Sequence, residues 1–335
     1  MEYTSITDLL EKYDQRFTDE LDPLGNNGTF TLPESAEMGF RLSLLESSWM
    51  MQNITLLDVV PDDGEKGQAI YVGASDLHTG RSVGGRFYKE LDVDGTPYVL
   101  AETDTCASLP YDRMSLLANV YGMKEFNAAI DSFFSEAIGL DMLRIGFNGT
   151  RASVSTDPKT NPRGEDVNKG WHALAKDFEG GKQVVTEALT LGKGGDFPHL
   201  DALANHLVSK IPERLREHPR LTVLVGAELA AHERLRLFNS ADRPADVSAA
   251  QMAVSSLAGR FAFVPPFMPG KRLAVTTLDN LHIYTMKRSR WIRSQFVEDR
   301  RAYERSYLRN EGYALGDGYL YAAVDESAIT LKSGD

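Results

Sequence analysis

Residues 116–145 read LLANVYGMKEFNAAIDSFFSEAIGLDMLRI, and a Gly-Phe-Asn-Gly stop follows at 146–149. The large apolar side chains recur every three or four residues, with polar side chains on the other face, which predicts one amphipathic helix. Thirty residues at about 1.5 Å each span about 45 Å, so we expect this helix to brace an elongated element. The same pattern also fits an ordinary buried core helix. In either case we expect Phe126, Phe133 and Phe134 in the core.

Two glycines inside this predicted helix need an explanation. Gly122 and Gly139 each cost about 1 kcal/mol relative to alanine, so packing must offset them, and they could mark a bend. The charged residues of the segment exclude a transmembrane span. These residues are Lys124, Glu125, Asp131, Glu136, Asp141 and Arg144.

The composition is that of a globular chain. With 335 residues, 42% hydrophobic and 25% charged, the chain is long enough for two domains or one elaborated domain. The single cysteine, Cys106, excludes an internal disulfide and a cysteine-cluster metal site, which fits a reducing compartment. The first residues have no basic region and no apolar run, so we expect no secretory signal and synthesis in the cytoplasm.

Charge is distributed unevenly along the chain. The net charge of −12 opposes tight binding to nucleic-acid phosphates. Residues 1–65 hold 3 basic and 14 acidic groups (3 − 14 = −11), whereas residues 286–310 hold 8 basic and 3 acidic groups (8 − 3 = +5). The two regions could attract each other within a subunit or between neighbours, or both could be solvated faces.

The pattern along the chain predicts a mixed α+β fold. A short helix at 6–17 precedes a helix near 35–49, with Ser35 as a candidate N-cap. Strands at 68–74 and 98–108 flank a Gly-rich tip at 76–85, with a further turn at Asp94-Gly95, and such a two-stranded excursion must lean on a neighbour. Later helices and strands show no regular βαβ repeat, and residues 273–331 alternate like antiparallel sheet.

No motif predicts catalysis or cofactor binding. The string Gly192-Lys193-Gly194-Gly195-Asp196 lacks the spacing and the hydroxyl residue of a P-loop, and it predicts a tight turn before a helix that begins at Asp196 or Pro198. The seven histidines form no metal-ligand spacing, and no nucleophile elbow is present. We therefore predict no catalytic residue, no metal and no cofactor.

Several strings resemble, in order and spacing, the major capsid protein of Peduovirus-type tailed phages. Each string alone is weak, but together they cover residues 30–331. They are Phe30-Thr31, Glu46-Ser47-Ser48, Gly146-Phe147-Asn148-Gly149, Asn161-Pro162, Gly170-Trp171, Gly192-Lys193-Gly194-Gly195-Asp196 with Leu200-Asp201-Ala202-Leu203, Val223-Leu224-Val225-Gly226, Leu278-Asp279-Asn280-Leu281 and Ile283-Tyr284.

The resemblance implies the tailed-phage major capsid fold. It maps an N-terminal arm onto residues 1–57, an extended β-hairpin loop onto 58–109 and a peripheral domain with a long spine helix (about 114–146) onto 110–189. An axial domain would follow at 190–283, and strands at 284–335 would return to the peripheral domain. The helix at 116–145 would then be the spine.

The resemblance also implies a structural function. Many copies would form pentamers and hexamers that close into an icosahedral head around double-stranded DNA, in a virion assembled in the host cytoplasm. The resemblance implies as partners a scaffold, a capsid protease that trims the N-terminal stretch, a portal and a decoration protein. It implies no sequence-specific DNA contact and no membrane. An encapsulin-like nanocompartment shell and a soluble α+β enzyme are the alternatives.

We expect intersubunit contacts at charged and small residues of three segments. The hairpin tip is one segment, the acidic stretch after the arm is a second, and the basic strand near 290 is a third, which would meet acidic residues of a neighbour such as Asp58. The predicted residues are Thr79, Gly80, Arg81, Arg86 and Lys89 in the tip, Asp62, Asp63 and Glu65 in the acidic stretch, and Arg288, Arg290 and Arg293 in the basic strand.

Overall fold

The computed structural model describes residues 34–60, 66–72, 93–120, 123–239 and 255–332, with short pieces at 15, 22–23, 29–31, 81 and 84–85. The chain divides into two compact units. Unit 1 comprises Met1–Glu65, Leu100–Gly170 and Ile283–Tyr313, and unit 2 comprises Lys66–Val99, Trp171–His282 and Ala314–Asp335. The helix predicted at 6–17 lies outside the described residues, apart from the helical residue Gln15.

Unit 1 is built on a seven-stranded sheet. Its order is β1-β2-β14-β15-β13-β3, and β6 also pairs with β15. The central strand β15 is 14 residues long and is antiparallel to β14 and β6. The strands are β1 (Asp22–Pro23), β2 (Thr29–Thr31), β3 (Thr55–Val59), β6 (Ala101–Pro110), β13 (Leu281–Met286), β14 (Trp291–Val297) and β15 (Ala302–Leu315).

The helices described in full within unit 1 are α1 (Glu34–Glu46), α2 (Trp49–Asn53), α3 (Tyr111–Val120) and α4 (Met123–Asn148). The helix predicted at 116–145 is thus described as α3 and α4, because Tyr121 and Gly122 lie outside the described residues. The cap prediction at Ser35 was wrong, since this residue lies inside α1. It is Ser48 that caps a helix, accepting a hydrogen bond from the Met51 amide at the start of α2.

The two neighbouring phenylalanines of α4 have opposite environments. Phe134 is buried as predicted, whereas Phe133 is 50% exposed and its core prediction was wrong. A helix turns about 100° per residue, so adjacent side chains cannot both face the sheet. The side chain of Phe126 lies outside the described part.

The approach of α1 to α4 explains one glycine of the spine. A Cβ atom on Gly139 would lie 2.5 Å from Oγ of Ser47, so only glycine admits the end of α1 here. Four residues earlier on both helices, the Ser43 and Ser135 hydroxyls lie 2.7 Å apart. Gly139 therefore has a packing role, and the predicted bend stays a prediction.

The predicted hairpin is formed by β4 (Lys66–Val72) and β5 (Val93–Val99), in antiparallel register from Lys66↔Val99 to Val72↔Val93. The turn predicted at Asp94-Gly95 was wrong, because both residues lie in the ladder. A Cβ atom on Gly95 would lie 2.9 Å from Oε1 of Gln68, so this glycine makes room for a cross-strand side chain. The second predicted strand is divided into β5 and β6 at Leu100.

The rest of unit 2 centres on a six-stranded mixed sheet of order β10-β11-β9-β12-β16-β7. Strand β9 is antiparallel to β12 but parallel to β11, and β16 is parallel to β7. A separate parallel pair joins β8 to β17. The strands are β7 (Val184–Val185), β8 (Leu189–Leu191), β9 (Leu221–Val225), β10 (Ser256–Leu257), β11 (Arg260–Phe263), β12 (Leu273–Thr277), β16 (Tyr321–Val324) and β17 (Ile329–Leu331).

The helices of unit 2 are α5 (Trp171–Asp177), α6 (Leu200–Lys210), α7 (Glu213–Arg216) and α8 (Ala227–Asn239). Helix α6 begins later than predicted, because His199 is its N-cap and accepts from the Ala202 amide at 3.1 Å. The helix itself is confirmed, and it packs into a core of leucine, valine and alanine. The segment 284–335, predicted as one returning section, is divided between the units after Tyr313.

Candidate functional site

The predicted basic segment, 286–310, lies largely in β14 and β15, and much of its charge is buried. Alternate residues of a strand face the same side of a sheet. On one side of β15 six consecutive alternate positions are buried, with charged and aromatic side chains and no aliphatic one. These positions, called the β15 ladder here, are Tyr303, Arg305, Tyr307, Arg309, Glu311 and Tyr313.

One end of the β15 ladder is a fully buried ion pair. Nε of Arg309 donates to Glu311 at 2.5 Å, and the Tyr313 hydroxyl lies 2.6 Å from the other Glu311 carboxylate oxygen and 3.1 Å from the Met142 carbonyl of α4. Burial opposes the charge of Arg309, but the adjacent Glu311 carboxylate raises the pKa of Arg309 above its ordinary value. Burial, followed by the same carboxylate, raises the pKa of Tyr313. Through the Tyr313 hydroxyl, the Arg309–Glu311 pair thus connects β15 to α4.

The other end of the β15 ladder holds two helices through one arginine. Arg305 donates to Asp131 of α4 at 2.8 Å, and its guanidinium lies 5.6 Å from the ring centroid of Phe134 and 5.9 Å from that of Phe40. Phe40 of α1 in turn meets Tyr307 edge-on at 4.8 Å between centroids. Cation–π contacts of this kind contribute more where water is excluded. The arm helix α1 and the spine α4 are therefore held on one charged and aromatic surface.

Arg290 forms an ion pair within its own chain, and its predicted contact with a neighbour stays a prediction. Its side chain is buried and forms an ion pair with Asp58 of the same chain, and Asp58 also accepts from Arg41 of α1 at 3.0 Å. The predicted contact between Arg290 and a neighbour's Asp58 is thus made within the subunit. The contact between Arg290 and Asp58 contributes to the fold of the subunit. A buried guanidinium has little surface that a neighbouring subunit could reach.

The remaining predicted contact residues are placed as follows. Arg288, with a left-handed backbone (φ 60°), and Arg293 are exposed at β14, and Arg81 is exposed in the hairpin region. Arg288 precedes β14 and Arg293 lies within it. The others lie outside the described residues: Thr79, Gly80, Arg86, Lys89, Asp62, Asp63 and Glu65.

A buried histidine in unit 2 joins a charge cluster that sequence spacing did not predict. His172 of α5 lies 3.2 Å from both the Asp325 carboxylate and the Tyr321 hydroxyl. Burial lowers the pKa of His172 to about 4, against the hydrogen bond to Asp325, which raises it. That hydrogen bond in turn lowers the pKa of Asp325.

His172, Asp325 and Glu326 offer ligand atoms within 4.8 Å of one another. However, Arg272 binds both oxygens of Glu326 at 2.8 Å, and Lys176 is paired with Asp325. The protein's own cations neutralise both carboxylates, so this donor set fits a structural charge cluster better than a metal site.

The glycine string before α6 is a tight turn, as predicted. The Asp196 carboxylate accepts from the amide and the hydroxyl of Thr190, both at 2.8 Å, and these hydrogen bonds lower the pKa of Asp196. Gly192 and Gly194 have positive φ, which favours glycine. The string therefore closes a loop and presents no phosphate cradle of the P-loop kind.

Comparison of the fold with solved structures identifies its class. A subunit of the satellite phage P4 procapsid, solved with the size determination protein, superposes with a TM-score of 0.73 at 21% identity, covering 99% of each chain. An encapsulin complex from Synechococcus elongatus gives a TM-score of 0.44 at 8% identity, covering 84% of this chain and 87% of that chain. The fold is that of tailed-phage capsid subunits.

Sequence comparison narrows the class to one family. The model of the family "Phage major capsid protein, P2 family" matches residues 9–327. The capsid protein of Escherichia phage P2 is 27% identical over 274 residues, covering 77% of this chain and 75% of that protein. The chain belongs to the P2 family of phage major capsid proteins, which confirms the resemblance and the predicted α+β capsid fold.

Proposed function

We propose that many copies of this chain form pentamers and hexamers, which close into an icosahedral head enclosing the double-stranded DNA of a tailed phage. The family match over residues 9–327 carries this proposal. Each contact between subunits can be modest, because closure of a shell compounds many contacts. The chain would act structurally, without catalysis.

The proposed domains have the bounds that the resemblance implies. An arm (1–57) and an extended loop (58–109) would reach neighbouring subunits, and the peripheral domain (110–189) would contain α4 as its spine. The axial domain (190–283) would surround the capsomer axis. The hairpin of β4 and β5 supports this mapping, since an isolated two-stranded sheet is marginally stable and gains stability from a partner.

Intersubunit contacts are proposed at the predicted residues other than Arg290, whose side chain is buried. Arg288 and Arg293 would meet acidic residues of a neighbour, among them Asp62, Asp63 and Glu65. The tip residues Thr79, Gly80, Arg81, Arg86 and Lys89 would contact a second neighbour. Complementary charge of this kind directs pairing more than it adds affinity.

Further partners are proposed from the family. A scaffold, a capsid protease, a portal and a decoration protein would act during assembly in the host cytoplasm, and the protease would trim residues before about 30. DNA would be enclosed without sequence-specific contact, in keeping with the net charge of −12. No helix in the described ranges has the length and apolarity needed to cross a membrane.

Electron microscopy of the expressed protein tests the proposal. Negative-stain images of the chain, with and without a co-expressed scaffold, should show closed shells. A monomer or small oligomer under both conditions would contradict the proposal and favour the enzyme alternative. Shells purified from infected cells should contain DNA, and shells that hold an enzyme and no genome would favour a nanocompartment.

Mass spectrometry of subunits from finished particles tests the trimming. Loss of the residues before about 30 is the expected result, and an intact Met1 would contradict it.

A further inference from the structure

Strands β1 and β2 form a hairpin at one end of the unit 1 sheet. Strand β2 is the inner strand of this hairpin, since it pairs with β1 on one side and with β14 on the other. Phe30 is opposite Pro23 of β1 and Ile292 of β14, and Thr31 also has a partner on both sides. The backbone near residue 30 is therefore held inside a sheet.

Pairing on both sides hides the backbone groups that a protease needs. Recognition of an extended peptide uses its main-chain N–H and C=O groups, and proteolytic nicking concentrates at exposed loop tips. In β2 the backbone groups of Phe30 and Thr31 already point to partner strands. A cut in this segment thus requires β2 to separate from the sheet first.

The hairpin and the helix that follows it are attached to unit 1 in different ways. Strand β2 pairs with β14 over three residues and with β1 over two. Helix α1 is held by side chains, because Arg41 donates to Asp58 at 3.0 Å and Leu44 is buried. The Ser43 and Ser135 hydroxyls, 2.7 Å apart, add a contact with α4. Short strands at the end of a sheet open at a lower free energy than packed elements, so the hairpin can separate while α1 stays in place.

We propose that the β1–β2 hairpin shields the trimming point near residue 30, and that trimming proceeds only after β2 separates from β14. This inference rests on the proposed function, which includes a capsid protease. The rate of trimming follows the fraction of subunits in which the hairpin is open. The cut is hydrolysis of one peptide bond, in which water supplies the OH of the new carboxyl group and a hydrogen of the new amino group.

Trimming would release β1 and leave α1 on the subunit. Helix α1 begins at Glu34, after the trimming point, and its contacts with Asp58 and Ser135 lie within the retained chain. The same cut detaches β1, so the hairpin cannot form again and β2 loses its outer partner. The shield is therefore lost permanently with the first cut.

A disulfide between β2 and β14 tests the shielding. The variant T31C/W291C in a C106S background carries no other cysteine, and its two new cysteines are directly opposite in the ladder. The Cα atoms of such opposite residues lie about 4.5–5.5 Å apart, a distance that a disulfide spans. Oxidised and reduced forms of the same unassembled subunit would be treated with proteinase K, and mass spectrometry would give the position and rate of each cut.

The oxidised form should be cut at residues 29–31 at least tenfold more slowly than the reduced form. Cutting at Val154, a fully exposed loop position, is the internal control and should be equal in both forms. Equal rates at residues 29–31 in the two forms would overturn the shielding. If circular dichroism shows that T31C/W291C does not fold, the opposite pair T29C/R293C gives the same comparison.

Weakening of β2 should have the opposite effect. Glycine has a low strand propensity, so T29G/T31G should increase the fraction of open hairpins and raise the rate of cutting at residues 29–31 at least threefold. The control variant S153G/S155G places two glycines in the loop beside Val154 and should leave that rate unchanged. A rate in T29G/T31G no higher than in the control variant would contradict the shielding.

Failure of the shielding and failure of the proposed trimming give different results. An intact Met1 in subunits of finished wild-type particles would contradict the trimming itself. Trimmed particles, together with equal proteinase K rates in the oxidised and reduced subunits, would overturn the shielding and leave the proposed function intact.

Discussion

The two units have cores of different chemistry. In unit 2, α6, β9 and β12 pack through leucine, valine and alanine, with Leu203, Leu207 and Val223 fully buried. In unit 1, the β15 ladder places arginine, glutamate and tyrosine between the sheet and α4. One interior is held by non-directional burial of apolar surface, and the other by charged and polar groups that must be matched one to one.

This difference in core chemistry predicts how the stability of each unit responds to substitution. An apolar core tolerates volume-conserving substitutions at a cost of less than about 1.5 kcal/mol. A buried ion pair is costly to desolvate and adds little net stability, yet removal of one partner leaves a charge uncompensated. We infer that the β15 ladder fixes the register of β15 against α1 and α4 more than it adds free energy.

The largest effect is expected from separating Arg309 and Glu311. E311L should lower the free energy of unfolding by about 3–5 kcal/mol, because it leaves the Arg309 charge buried without its carboxylate. The double variant R309M/E311L should recover most of this loss. Urea denaturation of unassembled subunits measures the free energy of unfolding of both variants. Equal losses of this free energy in E311L and R309M/E311L would contradict the claim that the two side chains stabilise the fold as a pair.

Arg290 and Arg293 provide a comparison inside one strand region. R290E should cost about 3 kcal/mol or more of unfolding free energy, since it sets a buried carboxylate against Asp58. R293E, at an exposed position, should change stability by less than about 0.5 kcal/mol while impairing shell formation. Soluble yield and urea denaturation measure the effect on folding, and particle counts measure the effect on assembly. A stable R290E subunit that fails only in assembly would support Arg290 as an intersubunit contact.

His172 makes the stability of unit 2 depend on pH. Its pKa is about 4 when folded and about 6.5 when unfolded, so the unfolded chain binds more protons between these values. Stability from this group is therefore complete above about pH 6.5 and decreases as the pH falls toward 4, by on the order of 2 kcal/mol.

The control for this pH dependence is H172Q, which should flatten the slope between pH 6.5 and 4. Urea midpoints at several pH values measure it. A slope as steep in H172Q as in the wild type would assign the pH dependence to other groups.

The smallest effect is expected at the contact between α1 and α4. G139A should gain about 1 kcal/mol of helix propensity but lose about 2 kcal/mol by crowding Ser47, for a net loss of about 1 kcal/mol. The double variant S47G/G139A should relieve the crowding. Thermal melting measures both, and a G139A subunit more stable than the wild type would contradict close packing here.

The same contrast explains what the sequence could predict. Apolar periodicity correctly predicted the helix α4 and burial of Phe134, because such a pattern reports its own burial. It could not show that Arg290 and Arg309 are buried, because Arg290 pairs with the distant Asp58, and the alternating charges of Arg309 and Glu311 have the pattern of an exposed strand face. For the same reason Asp94-Gly95 resembled a turn, although cross-strand pairing with β4 keeps it extended.

Hydrogen–deuterium exchange of free subunits and assembled shells tests most directly the claim that both cores are complete within one chain. Amides of β9 and β15 should be protected in both states, because each strand is paired on both sides within the chain. Rapid exchange of the β15 amides in free subunits, with protection only in shells, would contradict the account.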